Sequence, residues 1–295
     1  MIQPRHNYSF RLGSSGLAVF VSILITSCSQ PVPHVAGPAG EYSEAIGFFE
    51  KGDFRQAIEH TDGLAKASPP NDYTNRARVL RAVVFSGQME AYKELADAYS
   101  KGADKTTRPQ VKSEYSGRRR DTQQVGGQRA LHLAEVAHQL TQGGTLPKDL
   151  TLDAPYPATE GPTVVTQLNQ VMEGILIGPD DQEAAAVDAQ RKGIDDALGE
   201  AMGGDRAAAR NALKAGPVKL DDYEFALFLT EQLLNGATLY DRKHQRDPSK
   251  LKILCGEADD VANAALAALK ENPDKEKEKE IKKLQDQIKT TLKNG

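Results

Sequence analysis

The residues with the most evident chemical potential are a helical triplet, His132-x-x-Glu135-x-x-His138, a basic run, Arg118-Arg119-Arg120, and two cysteines, Cys28 and Cys255. In the triplet, successive i,i+3 steps place Glu135 beside each histidine in turn. At about 100° per residue the set spans an arc of roughly 120°, so the three side chains would meet a single ion only loosely. A polar helix face is therefore expected, with no metal ligand and no catalytic residue. The arginine run has the charge to meet phosphate-rich polymers, but it is flanked by Gly and Ser and is expected to be solvated. The sequence has no glycine loop followed by Lys-Ser/Thr, no closely spaced cysteine pair and no Gly-x-Ser-x-Gly turn. No cofactor is expected on these grounds, and nucleic acid is not an expected partner.

Cys28 stands apart because of what precedes it. Arg5 and Arg11 lead into an apolar run from Leu17 to Ile25 that closes on Ile25-Thr26-Ser27-Cys28. The run is shorter than the roughly 20 apolar residues that span a bilayer, and its basic flank and small-residue end are those of a cleavable export signal. These residues resemble a bacterial lipoprotein signal, with Ile25, Thr26 and Ser27 completing the lipobox. The resemblance implies cleavage before Cys28, a diacylglycerol on its thiol and an acylated N-terminus. It also implies a location in the cell envelope, and Ser29, in place of the Asp of an inner-membrane retention signal, leaves the periplasmic face of the outer membrane as the expected site. Removing residues 1–27 takes away two arginines and no acid, moving the formal charge from −4 to −6. Residues Ser29 to Gly40 hold no Lys or Arg to attract anionic lipid, so acyl chains are the expected membrane contact. With Cys28 consumed, Cys255 has no partner for an intrachain disulfide. It lies in a stripe with Leu251, Leu254, Ala258 and Val261 at helical spacing, which predicts a buried, chemically silent thiol.

Ala, Leu, Lys, Glu and Gln are abundant and Trp is absent, which predicts an all-α protein. Residues 28–40, rich in Pro and Gly, read as a tether. Helices are then expected over 41–51 and 54–67, with the second stopped by Pro69-Pro70. A third, capped by Asp72, is expected to run to about Ser86, with Gly87 breaking it from a fourth over 89–100. Ala45, Phe48, Gly52, Asp53, Phe54, Ala57 and Pro69 fall at the spacing of a tetratricopeptide repeat, and this stretch of about 34 residues resembles that family. Glu41, Glu44 and Leu64 depart from its pattern. The resemblance implies stacked helical hairpins, with residues 72–102 as a degraded second copy turning at Gly87, and Gly204-Asp205 echoes the first turn.

The remaining organisation is expected as a flexible loop over 101–127, a helix over 128–142 and a Pro-rich linker over 143–162. This divides an N-terminal helical domain, 41–142, from a C-terminal one, 163–270. Within the latter, Asp180 and Glu183 read as a capping box, and the apolar helix 221–244 is expected at the centre. A charged helix over 271–295 carries one narrow stripe of Ile281, Leu284, Ile288 and Leu292. Stacked as a solenoid or as an irregular bundle, such hairpins suit a membrane-anchored, non-catalytic scaffold for an envelope protein or peptide. A ligand-binding helper of periplasmic solute transport is the alternative, followed by an enzyme of unrecognised type.

Overall fold

The computed structural model describes residues 37–154, 164–270 and 273–294. Cys28 and the lipobox lie outside them, as does most of the tether. The chain forms α1 (Pro38–Glu50), α2 (Phe54–Ala65), α3 (Thr74–Lys105), α4 (Pro109–Thr141), β1 (Thr151–Leu152), α5 (Val164–Met172), α6 (Pro179–Ala201), α7 (Arg206–Ala215), β2 (Val218–Lys219), α8 (Asp222–Thr238), α9 (Pro248–Leu269) and α10 (Lys275–Asn294). It is an all-α protein whose described residues include one two-residue antiparallel ribbon, in which Thr151 faces Lys219 and Leu152 faces Val218.

Local chemistry explains most helix starts. Asp53, Asp205, Asp221 and Asp247 each accept backbone N–H bonds from the first turn of α2, α7, α8 and α9, satisfying donors that have no intrahelical partner. Pro occupies the first turn of α1, α4, α6 and α9, where its missing N–H costs nothing. Two expected caps are corrected. Tyr73, not Asp72, precedes α3, with Asn71 Oδ1 accepting from Tyr73 N at 2.9 Å. Gly178 precedes α6 without a side-chain cap, and Asp180 with Asp181 sits inside the first turn facing the positive end of the helix dipole.

Helices α1 and α2 form a hairpin that turns at Gly52-Asp53. Gly52 adopts φ +77°, and Gly52 N and Asp53 N donate to Phe49 O and Phe48 O, both at 2.9 Å. Ala45 and Ala57 are buried, Phe49 meets Phe54 edge-on at 5.6 Å, and Phe48 stacks on His60 at 5.0 Å. Pro69 is exposed beyond the end of α2. Arg81, only 6 % exposed, ties the hairpin to α3 by donating to Ile58 O at 2.9 Å and pairing with Asp62 at 2.9 Å, with its guanidinium over Phe85.

Residues 72–102 do not form a second hairpin: α3 runs without a turn through Gly87. A Cβ at Gly87 would lie 2.5 Å from the backbone of Ile194, and one at Gly193 would lie 2.1 Å from Gly87 O. Glycine therefore marks a contact between two helices rather than the end of one. Val79 to Met89 are buried on every side, and α3 touches α2, α4, α5, α6, α8 and β1. Repeats in a solenoid touch only their neighbours, so the arrangement is an irregular bundle around α3. Helix α8 is deeply buried through Phe225, Leu229 and Leu233. It packs mainly against α9 and also meets α4, α10, α6 and α3, within the shared core rather than at the centre of a separate bundle.

The expected flexible loop 101–127 is also corrected, being the end of α3, a short connection and the first half of α4. Arg108-Pro109 starts a helix. Its buried face is carried by Val111, Tyr115, Gly126, Gly127 and Ala130, too few and too small to read as an apolar stripe. A Cβ at Gly127 would lie 2.6 Å from Tyr240 Oη, so close approach replaces side-chain bulk there. The described part of the expected linker is packed as well. Leu146, Leu150, Leu152 and Ala154 join the main core, which runs from Phe49 in α1 to Ile288 in α10 and crosses the expected domain boundary. Pro38 to Gly40, assigned to the tether, belong to α1.

Two glycine substitutions separate contact from propensity. Gly87→Ala is expected to destabilise the fold by about 1–3 kcal/mol, because overpacking against Ile194 exceeds the gain of about 1 kcal/mol from helix propensity. Gly117→Ala, where a Cβ meets nothing within 4 Å, is expected to stabilise by up to about 1 kcal/mol. Chemical denaturation of both variants checks the contrast, and equal effects would contradict it.

Candidate functional site

The crossing of α3 and α6 opens on one side into a cleft of about 400 Å³. Helix α3 contributes Glu90, Glu94 and Asp97, α6 contributes Asp196 and Glu200, and α8 contributes Gln232 and Asn235. Leu168 and Met172 of α5 and Ala91 and Ala98 of α3 supply apolar wall. Lys93, Lys101 and Lys192 also line it, giving five carboxylates to three ammonium groups.

The positions of these groups follow from the helix contacts. Gly87, Gly193 and the Gln88 Nε2 to Gln190 Oε1 bond of 2.9 Å hold α3 against α6. A Cβ at Gly236 of α8 would lie 2.7 Å from Ala130 Cβ of α4 and 3.1 Å from Met89 Sδ of α3, so α8 too is seated closely. Lys192 bridges the cleft mouth to Glu94 at 2.8 Å, and Lys93 lies 3.7 Å from Glu90 Oε2.

The inner end is short of donors. Gln232 Nε2 donates to Glu200 Oε2 at 2.8 Å. Gln232 Oε1 and Glu90 Oε1 are both buried, and neither has a hydrogen-bond partner among the described residues. Burial first, then the neighbouring Glu90 and Asp196, raises the Glu200 carboxyl above its usual range, with Gln232 pulling in the opposite direction. Asp196 is raised mainly by burial, which outweighs the charges of Arg206 and Lys192 beside it. Glu200 is a group that would gain from a cation or a donor, whereas Asp196 already pairs with Arg206 and, at 3.8 Å, with Lys192.

The histidine triplet divides rather than converges. His132 stacks on Phe85 at 5.3 Å and lies 3.2 Å from Glu135, whereas His138 meets Glu257 of α9 at 3.3 Å. Among the described residues no group of three His, Cys, Asp or Glu is placed to hold a metal ion. Arg118 lies on α4 and bonds Glu114 one turn back, at 3.1 and 3.2 Å. Cys255 is fully buried in α9, and burial pushes its thiol up to about 11, the silent role its spacing predicts. Helix α10 docks on α8 and α9 through Ile281, Leu284 and Ile288, leaving Leu292 exposed.

Sequence reasoning missed the cleft because its acids sit on faces of α3 and α6 that read as ordinary solvated surface. The available signal was Gln232, a polar residue inside the most apolar helix, next to Leu233 and one turn beyond Phe228. No protein family, curated protein or solved structure matches the chain.

A carboxyl whose pKa is higher folded than unfolded opposes folding while ionised, and the opposition is relieved as pH falls through the folded value. Glu200→Gln is therefore expected to raise the melting temperature by about 1–3 °C at pH 7.5, the size being limited by solvent screening. The difference should vanish near pH 4. A variant melting below the wild type at pH 7.5 would contradict this.

Proposed function

We propose that the chain is a lipoprotein of a bacterial envelope, held to the membrane through lipid on Cys28, that works as a binding scaffold for an envelope protein or peptide. The location rests on the order of Arg5, Arg11, the apolar run and Ile25-Thr26-Ser27-Cys28. No described helix is long and apolar enough to cross a membrane. Acyl chains on the cysteine are the membrane contact in this reading, two or three being secure where one is marginal.

The observation that carries the binding role is the charged cleft on α3, α6 and α8. It is an open recess walled by helices, and two of its acceptors, Glu90 Oε1 and Gln232 Oε1, lack donors among the described residues. A surface of this kind recognises a complementary group without needing to transform it. The resemblance of residues 41–69 to a tetratricopeptide hairpin supports the same reading, since that family presents helical surfaces to partners. A second reading, a ligand-binding helper of solute transport, draws support from the cleft being walled on several sides rather than being a flat groove.

Two experiments test the proposal. Metabolic labelling with a lipid analogue is expected to mark the wild type and to leave Cys28→Ser unmarked; equal labelling of both would overturn the lipid anchor. Crosslinking from the anchored protein is expected to capture a partner that is lost on reversing charge at Glu94 and Asp97. Capture should survive replacement of His132, Glu135 and His138 by Ala together. Loss of function in that triple variant, with fold and capture intact, would instead indicate an enzyme.

A further inference from the structure

The inner end of the α3–α6–α8 cleft presents three oxygen acceptors, one from each helix: Glu90 Oε1, the Glu200 carboxylate and Gln232 Oε1. Gln232 is 4 % exposed and lines the cleft. A buried carbonyl oxygen without a donor carries its desolvation cost uncompensated unless something binds to it. Its amide nitrogen is already committed to Glu200 at 2.8 Å, and this bond leaves the oxygen for a ligand. Glu90 repeats the pattern, since Lys93 lies by its Oε2 and its buried Oε1 has no partner among the described residues.

We infer that this cleft is a site for an organic ammonium group, carried on a free linear polyamine or on a lysine side chain of the bound partner. An ammonium brings three N–H donors and no acceptor, matching acceptors that stay without donors in a cleft whose five carboxylates outnumber its three lysines. A metal ion fits worse, because hard cations need oxygen ligands gathered at about 2.0–2.6 Å. Among the described residues no three acidic or histidine side chains meet that requirement. The wall of the same cleft also carries Ala91, Ala98, Leu168 and Met172. That apolar strip covers the methylenes of an alkyl amine, as lysine stems are covered along protein surfaces.

The inference rests on the reading of the chain as a binding protein and is independent of its lipid anchor. The test is titration calorimetry of the full chain in detergent micelles at constant ionic strength. The probes are spermidine, a blocked Gly-Lys-Gly peptide and magnesium chloride. Saturable binding of an amine is expected, weakened at least tenfold by Glu200→Gln and by Gln232→Leu. Glu257→Gln, on α9 beside His138, should bind as the wild type does. Saturation by spermidine alone assigns the site to a free polyamine, and saturation by the peptide alone assigns it to a partner's lysine. Absence of saturation by both amines, undiminished binding by Glu200→Gln, or displacement by equimolar magnesium would overturn the inference. Glu200→Gln is expected to melt no lower than the wild type, so its loss of binding is distinguishable from unfolding. It decides the matter alone if Gln232→Leu fails to fold. Amine binding without partner capture would retain this site and overturn only the scaffold reading.

Discussion

The contact between Gly87 and Gly193 is the constraint on which the rest of the bundle depends. Both glycines are helical, and a single methyl at either would enter the backbone of the opposing helix. Such proximity brings α3 and α6 together more closely than side chains would allow, and it buries Val79 to Met89 on all sides. A helix buried all round needs neighbours on every face, and α3 has them in α2, α4, α5, α6 and α8. The hairpin α1–α2 and the helices α9 and α10 extend this core through Phe49, Leu254, Val261 and Ile288.

The cleft follows from the same contact. Residues 90–101 of α3 lie beyond the crossing, and with α6 and α8 they enclose a space instead of closing on it. Acids that would be ordinary surface groups on isolated helices are brought within range of one another there. Burial and mutual repulsion hold Glu200 and Asp196 above their usual range. A protein that keeps carboxylates in such a place gives up stability locally.

The peripheral ion pairs tell a different story. Arg81, with Asp62 and Ile58 O, closes a mostly buried set joining α2 to α3. Burial alone would raise the Asp62 carboxyl, but the Lys66 hydrogen bond and the Arg81 charge outweigh it and hold the group low. Stability from this pair is present above the unfolded pKa and lost as pH falls through the folded one. Asp62 is thus held low by its partners, while burial raises Glu200 and Asp196 in the cleft.

Local signals in the sequence sufficed wherever a backbone feature has a local cause. The all-α class followed from composition, and the Gly52-Asp53-Phe54 turn followed from residues within four positions of one another, whereas the caps expected at Asp72 and Asp180 did not form. The silent burial of Cys255 followed from the stripe it shares with Leu251 and Leu254. Gly87, Gly126 and Gly127 were legible only as breaks, since a glycine that ends a helix and one that admits a neighbour look alike until the neighbour is placed. The packed strand-like segment at Leu150 and Leu152 looked like linker for the same reason, its partner at Val218–Lys219 lying more than sixty residues away. The cleft was beyond local reading altogether. Its acceptors come from three helices, and only the α3–α6 and α8 contacts bring Glu90, Glu200 and Gln232 to one place. What the sequence determined by itself was the all-α class, the turn at Gly52-Asp53 and the expected fate of Cys28; which polar groups become a site was decided by tertiary packing, because that alone sets their distances and removes their water.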